Sequence, residues 1–168
     1  MRRILDVFEQ SILRICAFLM LVIAIVVLWQ VISRYIAGTS ATWAPEVAAI
    51  AFIWLSMLAI AVGMRGHKHL RIDIVGSINK SRWLALVQIT VAGIVVISSL
   101  GALAYYGTQG LQIALSRTLP GTGLSFAVAA FAVPVGAAIG MIFAVETFIR
   151  DLKRREMATN EADEAALI

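Results

Sequence analysis

ICAFLMLVIAIVVLWQVIS, residues 15–33, is an uninterrupted apolar run that carries no charge and is bounded by Arg14 and Arg34. As a helix, with a rise of about 1.5 Å per residue, it would be roughly 28 Å long, close to the thickness of the hydrocarbon core of a bilayer. The apolar core of a cleaved signal peptide is shorter, usually about 7–15 residues. The stretch therefore predicts a membrane-spanning helix.

The rest of the chain repeats this pattern. Apolar residues make up 61% of the sequence and charged residues 14%, against about 45–50% and about 25% in soluble proteins. The apolar runs are too long and too uniform for barrel strands, so they predict helices, which satisfy their own backbone hydrogen bonds in lipid. We expect an all-α integral membrane protein, with a single four-helix membrane domain over residues 1–155 and spans at about 15–36, 45–64, 83–106 and 124–148.

The segments around the spans also carry signals. Residues 2–14 are amphipathic and predict a helix in the membrane interface that runs into the first span. Gly107 and Gly110, next to two glutamines, predict the exit of the third span and a following loop. Pro134 predicts a kink in the fourth span. The acidic residues 156–168 predict a disordered tail.

The distribution of positive charge predicts the orientation in the membrane. Twelve Lys and Arg residues precede the first span, lie between the second and third, or follow the fourth. Only Arg34 and Arg117 lie on the other side. Cytoplasmic loops carry the excess of Lys and Arg. We therefore expect a multi-pass protein of the bacterial inner membrane with both termini in the cytoplasm.

The sequence offers little that could carry chemistry. His67 and His69 are two residues apart, which puts them on different faces of a helix, and Cys16 has no second cysteine to pair with. We expect no enzyme activity, no cofactor and no metal site. A carrier needs polar groups near the middle of the membrane, whereas Glu46 and Glu146 lie near the ends of spans. The four helices are therefore expected to depend on a partner subunit.

Two features remain open to different interpretations. Small residues recur every fourth position from Ala132 to Ala144 and include the pair Gly136 and Gly140. Such a stripe lets helices approach closely, either within this chain or against another subunit. Glu46, near Trp43, either stabilises the first turn of its helix through the helix dipole or belongs to a docking element on the outer face.

Three stretches, in order along the chain, carry a resemblance to a known family. Residues 31–35, VISRY, close the first span and are followed by Trp43 and Glu46. HLRID, residues 69–73, follows Arg65 after the second span, and PVG, residues 134–136, lies in the last one. In the order and spacing of these stretches the chain resembles the small membrane subunit (the Q-type, or small permease, subunit) of tripartite ATP-independent periplasmic (TRAP) transporters.

The resemblance implies a scaffold that braces a large membrane subunit, which takes up organic acids such as dicarboxylates by symport with sodium. A periplasmic binding protein would deliver the substrate. Trp43 and Glu46 would lie at the periplasmic face, and Arg65, His69 and Asp73 at the cytoplasmic membrane boundary, none of them as substrate ligands. From the residues themselves we assign helix packing to Pro134, Gly136 and Gly140.

Two other classes of function compete with this interpretation. A small self-sufficient exporter needs a carboxylate near the middle of its first span, and residues 15–33 contain none. A membrane-anchor subunit of a redox complex needs histidines inside its spans to hold haem, and both histidines lie between the second and third spans.

Overall fold

The computed structural model describes residues 2–36, 38–39, 41–65 and 82–165 of the chain. Within these residues the only β-structure is an isolated bridge between Thr118 and Ser125. The helices, in chain order, are α1 (Arg2–Tyr35), α2 (Ala44–Gly63), α3 (Arg82–Leu115), α4 (Ala127–Ala130) and α5 (Ala132–Ala165). The prediction of an all-α protein is confirmed.

Four segments are long and apolar enough to cross a membrane. They are Leu5–Tyr35, Ala44–Gly63, Thr90–Leu115 and Ala127–Arg150. Each contains a window of eighteen residues with a mean hydropathy between 1.6 and 2.9, which matches the length that a bilayer core requires. The predicted number of spans is therefore confirmed.

The long helices pack side by side in a row, in the order α1, α2, α5, α3. α1 packs on α2, α2 on α5, and α5 on α3, while the short α4 contacts α2, α3 and α5. In the fourth span 39% of the apolar window is buried, against 6% in the first and third spans. The second and fourth spans thus form the centre of the fold, and α1 and α3 form its two edges.

The N-terminal part of α1 belongs to the packed core of the protein. Ile12, Leu58, Val62 and Phe143 form a buried cluster that joins α1, α2 and α5. The rings of Phe8 and Phe143 lie 5.8 Å apart between centroids. Residues 2–14 thus continue into the span without a break in the helix, and part of their apolar face packs against other helices of the chain.

The third long helix differs from the expectation. Residues 107–115 are helical and continue α3 to Leu115, so the predicted exit and loop at Gly107 and Gly110 are wrong. The physical reason at Gly107 is packing: a Cβ added there would lie 3.0 Å from Val133 Cγ1 and 3.2 Å from Pro134 Cδ. This glycine marks a close approach of α3 and α5, a role that composition alone does not distinguish from a helix end.

The fourth span is interrupted near the predicted position. The interruption lies at Phe131, between α4 and α5, and Pro134 occupies the first turn of α5. In the first turn of a helix a proline removes no hydrogen bond.

At its other end α5 continues to Ala165. Residues 156–165 are therefore helical, where the acidic composition predicted disorder, and residues 166–168 lie outside the described residues. Residues 156–165 contain three Glu and three Ala, which favour the helix.

Candidate functional sites at the two ends of the helices

Glu46 connects the start of α2 to the loop between α3 and α4. Its Oε1 accepts a hydrogen bond from the Gly121 amide at 2.8 Å. Its Oε2 accepts the Thr122 amide at 2.7 Å and the Thr122 hydroxyl at 2.8 Å. A single carboxylate thus satisfies two backbone donors of a loop that is 75 residues away along the chain. We call this the Glu46 end of the protein.

The loop that Glu46 holds, residues 118–125, has a defined shape. The Gly123 amide donates to the Leu119 carbonyl at 2.8 Å, and the Leu119 amide donates to the Leu124 carbonyl at 2.8 Å. Gly123 has a positive φ of 70°, a conformation that suits glycine. A Cβ added at Gly121 would lie 2.5 Å from the Thr42 carbonyl oxygen. The tight fit of this glycine lets the loop approach the start of α2.

Trp43 lies directly before α2 and takes the N-cap position. Its side chain makes no capping hydrogen bond, and the residue is 40% exposed. The ring therefore remains accessible at the Glu46 end. Glu46 does lie in the first turn of α2, as one interpretation required, but its three hydrogen bonds to the loop were foreseen by neither interpretation.

Arg65 forms the second polar site, directly after α2, and we call this the Arg65 end. Its side chain is 4% exposed. Its Nε donates to Glu146 Oε2 at 2.9 Å, and one Nη donates to Asp6 Oδ1 at 2.5 Å. The other Nη donates to the Leu5 carbonyl at 2.9 Å and pairs with Glu9. One guanidinium thus joins α1, the end of α2, and α5.

The surroundings of Arg65 keep it charged. Burial by itself would lower the pKa of Arg65, but the hydrogen bonds and the charge of Glu146, together with Asp6 and Glu9, raise its pKa above the ordinary value. The guanidinium carbon also lies 5.7 Å from the centroid of the Phe143 ring, within the range of a cation–π interaction. Charge-assisted hydrogen bonds of this kind offset the desolvation of a buried cation.

The carboxylates around Arg65 were not predicted as a site. Asp6 and Glu9 were covered by the sequence analysis only as part of the amphipathic residues 2–14, and Glu146 only as a residue near the end of a span. A signal was present, since Asp6 and Glu9 are three residues apart, on neighbouring turns of one helix face. The other predicted members of this boundary motif, His69 and Asp73, lie outside the described residues.

The small-residue stripe of α5 faces helices of the same chain. A Cβ added at Gly136 would lie 2.7 Å from Met57 Cβ and 3.2 Å from the Met57 carbonyl oxygen. At Gly140 the nearest atoms would be Leu100 Cδ2 at 3.5 Å and Ala61 Cα at 3.7 Å. Gly136 thus sits where α5 meets α2, and Gly140 where it meets both α2 and α3. Both glycines of the stripe therefore lie against helices of this chain.

The carboxylates of the four candidate spans share one property. Each lies near an end of its span, and each accepts a hydrogen bond from another group of the chain; they are Asp6, Glu9, Glu46 and Glu146. Arg150 adds a second cation to Glu146. These groups therefore connect helices and loops to one another.

Comparison with known proteins gives one family. The family described as "Tripartite ATP-independent periplasmic transporters, DctQ component" matches residues 23–154, which is most of the chain. The matched segment contains Glu46, Arg65 and Glu146, and it begins after Asp6 and Glu9. A search of curated proteins finds no match.

Proposed function

The chain belongs to the DctQ component family of tripartite ATP-independent periplasmic transporters, and from this premise we propose that it scaffolds the large membrane subunit of a sodium-coupled transporter. In this proposal the large subunit carries an organic acid together with sodium, and a periplasmic binding protein delivers the substrate. Dicarboxylates are one class of acid that fits. The small subunit itself binds neither the substrate nor the cation.

One observation carries the proposal. All four carboxylates of the described spans, including Glu46 and Glu146, accept hydrogen bonds from the chain itself and lie at span ends. A secondary carrier holds its substrate and coupling ion near the middle of the bilayer, on ionisable groups or broken helices. Groups that are engaged at the membrane boundaries stabilise a fold instead. The positions of these carboxylates therefore favour a scaffold subunit over a subunit that carries the substrate.

The arrangement of the helices in a row agrees with a scaffold. α1 and α3 form the two edges of the fold and leave large apolar side chains exposed, for example Phe18 at 64% and Ile94 at 58%. Association of helices in lipid depends on close packing and hydrogen bonds. An edge with a long exposed helix offers the area that such packing needs. We propose that the large subunit packs on an edge of this kind.

The two polar ends receive different roles in the proposal. With both termini in the cytoplasm, Trp43 and Glu46 lie at the periplasmic face. There Glu46 holds the loop 118–125 in one conformation. In this proposal that loop and the exposed Trp43 ring contact the large subunit or the docked binding protein. Arg65 lies at the cytoplasmic boundary, where His69 and Asp73 are proposed to extend the same boundary segment.

Reconstitution tests the proposal directly. Vesicles would contain the chain alone, the large subunit alone, or both, with the binding protein outside, an inward sodium gradient and a panel of labelled organic acids. We expect sodium-dependent uptake only when both subunits are present. Uptake of any organic anion by the chain alone would refute the scaffold role, and full uptake by the large subunit alone would make the chain dispensable.

A matched pair of variants sharpens the experiment. Gly136→Leu pushes a large side chain into Met57 of α2 and disturbs the fold that would brace the large subunit. Gly140→Ala adds a single methyl group at ordinary contact distance. We expect uptake to fall with Gly136→Leu and to persist with Gly140→Ala. Equal uptake with both variants would show that transport does not depend on the helix packing of this chain, and it would contradict the proposal.

A further inference from the structure

A groove of about 280 Å³ lies between α3, the short α4 and the start of α5 at the Glu46 end. One wall is a face of α3, formed by Gly107, Gly110 and Ala114, and it is continued by Arg117, which follows the end of α3 at Leu115. The spacings of three and four residues keep the three helical positions on one side of α3. The groove therefore runs along the axis of a membrane-spanning helix rather than across it.

The length of this groove corresponds to one leaflet of a bilayer. From Gly107 to the end of α3 at Leu115 the helical rise is about 12 Å, and with Arg117 just beyond it the groove is close to half of the roughly 30 Å hydrocarbon core. The candidate span ends at Leu115, so Arg117 lies just outside it. A groove of this depth, parallel to the membrane normal, has the length and the direction of a lipid acyl chain.

The two glycines give the groove its shape. At Gly107 the helices are close, because an added Cβ would lie 3.0 Å from Val133 Cγ1. At Gly110 an added Cβ would meet no atom within 4 Å. The groove is therefore closed at its deep end and open toward the membrane boundary. Phe126, Ala130 and Val133 make the opposite wall apolar.

Arg117 provides a charge at the mouth of the groove. It is exposed and is the first charged residue after Arg82. Among the residues that the structure describes, no carboxylate forms an ion pair with it. A cation at the depth of the lipid headgroups, above an apolar slot, complements a phosphate above its acyl chain.

We propose that this groove binds one anionic phospholipid, with an acyl chain between α3 and α4 and the phosphate on Arg117. A helix of a partner protein fits less well. The charge of Arg117 at the mouth of the groove complements a phosphate, which the apolar face of a membrane-spanning helix does not supply. The proposal concerns the lipid surroundings of the chain and does not depend on what the transporter carries.

Native mass spectrometry of the full-length chain, released from detergent micelles doped with phosphatidylglycerol or phosphatidylcholine, tests this site. We expect the wild-type chain to retain one phosphatidylglycerol in preference to phosphatidylcholine. Arg117→Gln should weaken phosphatidylglycerol binding about fivefold, the effect of one basic residue near an anionic headgroup. Gly110→Leu should reduce binding of both lipids, because it fills the slot and leaves Arg117 in place.

Arg34→Gln is the matched control, because Arg34 is an exposed arginine at the same end of the protein, on α1. It should leave retention unchanged. The proposal fails if Arg117→Gln retains phosphatidylglycerol as well as the wild type, if Arg34→Gln weakens binding equally, or if both lipids bind alike. It also fails if the wild type appears as paired chains without lipid and Gly110→Leu separates them. Arg117→Gln decides the question by itself if Gly110→Leu lowers the yield of folded protein.

Discussion

Arg65 and Glu46 each use one side chain to connect parts of the chain that are far apart in sequence. Arg65 reaches α1 and α5 from the end of α2, and Glu46 reaches the loop 118–125 from its start. Both ends of α2 are thereby fixed to other elements. At the membrane boundary such polar contacts add to packing, because the apolar contacts between helices in lipid provide little preference over lipid tails.

Loss of the Arg65 side chain should destabilise the fold. Arg65→Ala leaves three carboxylates close together without their shared cation. Removing one member of a fully buried pair costs about 3–5 kcal/mol. Because Asp6 and Glu9 are 58% and 28% exposed and remain partly hydrated, we expect about 2 kcal/mol here. Unfolding of the purified chain by a denaturing detergent would measure the loss.

Arg14→Ala provides the comparison for Arg65. Arg14 is an exposed arginine in the N-terminal half of α1, the half that contains Asp6 and Glu9. Among the described residues it forms no ion pair. Its removal should change the free energy of unfolding by less than about 0.5 kcal/mol. Equal destabilisation by the two variants would mean that general charge, and not the ion-pair cluster, stabilises this end.

Removal of the Glu46 charge should loosen the loop 118–125 without preventing membrane insertion. Glu46→Gln keeps the size of the side chain, but one of its two acceptor oxygens becomes a donor that faces other donors. We expect faster hydrogen exchange at the Gly121 and Thr122 amides. The Gly123 amide, which donates to Leu119, serves as the internal control. Unchanged exchange at Gly121 and Thr122 would show that Glu46 does not hold the loop.

The sequence was enough to single out Glu46 and Arg65, but their partners could not be predicted from it. Both residues stand at the ends of apolar runs, where a charge is conspicuous. Their partners depend on which helices are neighbours and on how those helices are aligned along the membrane normal. The contacts of Glu46 with Gly121 and of Arg65 with Asp6 join segments that are 75 and 59 residues apart. Local periodicity contains no information about such pairs.

At the scale of elements, two glycines of α5 should respond differently to the same substitution. Gly136→Ala brings a Cβ to 2.7 Å from Met57 Cβ, with backbone atoms of Met57 close behind. We expect a loss of about 2 kcal/mol, the cost of overpacking a tight contact. Gly140→Ala places its Cβ at 3.5 Å or more from its neighbours and should change stability by less than about 0.5 kcal/mol.

Unfolding of both glycine variants under identical conditions would check this difference. Gly140→Ala controls for the helix propensity of alanine, which favours both substitutions equally. Similar effects at the two positions would show that helix propensity, and not the distance between α5 and α2, determines the outcome.

The elements themselves were predictable to different degrees. The number of spans followed from charge-free runs, since length and hydropathy are local properties. The end of α3 could not be predicted in this way. Glycine is common at helix ends, whereas Gly107 lies inside α3 and lets it pack closely against α5. The continuation of α5 to Ala165 was missed because the negative charge of residues 156–168 was given more weight than the helix propensity of their Ala and Glu residues.

At the scale of the whole molecule, the order of the helices is what the sequence could not provide. α2 and α5 are central and α1 and α3 are peripheral, although α1 contains the most hydrophobic span, with a mean hydropathy of 2.9. In a soluble protein the most apolar helix would be expected inside. In lipid, apolar residues are equally stable at the edge, and the small residues of α5 determine which helix is central.

The distribution of charge along the molecule leads to the last prediction. Twelve basic residues on one side of the membrane against two on the other predict that both termini lie in the cytoplasm. With Cys16 replaced by Ala, a cysteine at Thr118 should react with a membrane-impermeant maleimide in cells whose outer membrane has been opened. A cysteine at Thr159 should react only after the inner membrane is permeabilised. Because Thr118 belongs to the loop that Glu46 holds and Thr159 to α5, the pair reports on opposite ends of one span, and the reverse labelling pattern would place the Arg65 end, and not the Glu46 end, toward the binding protein.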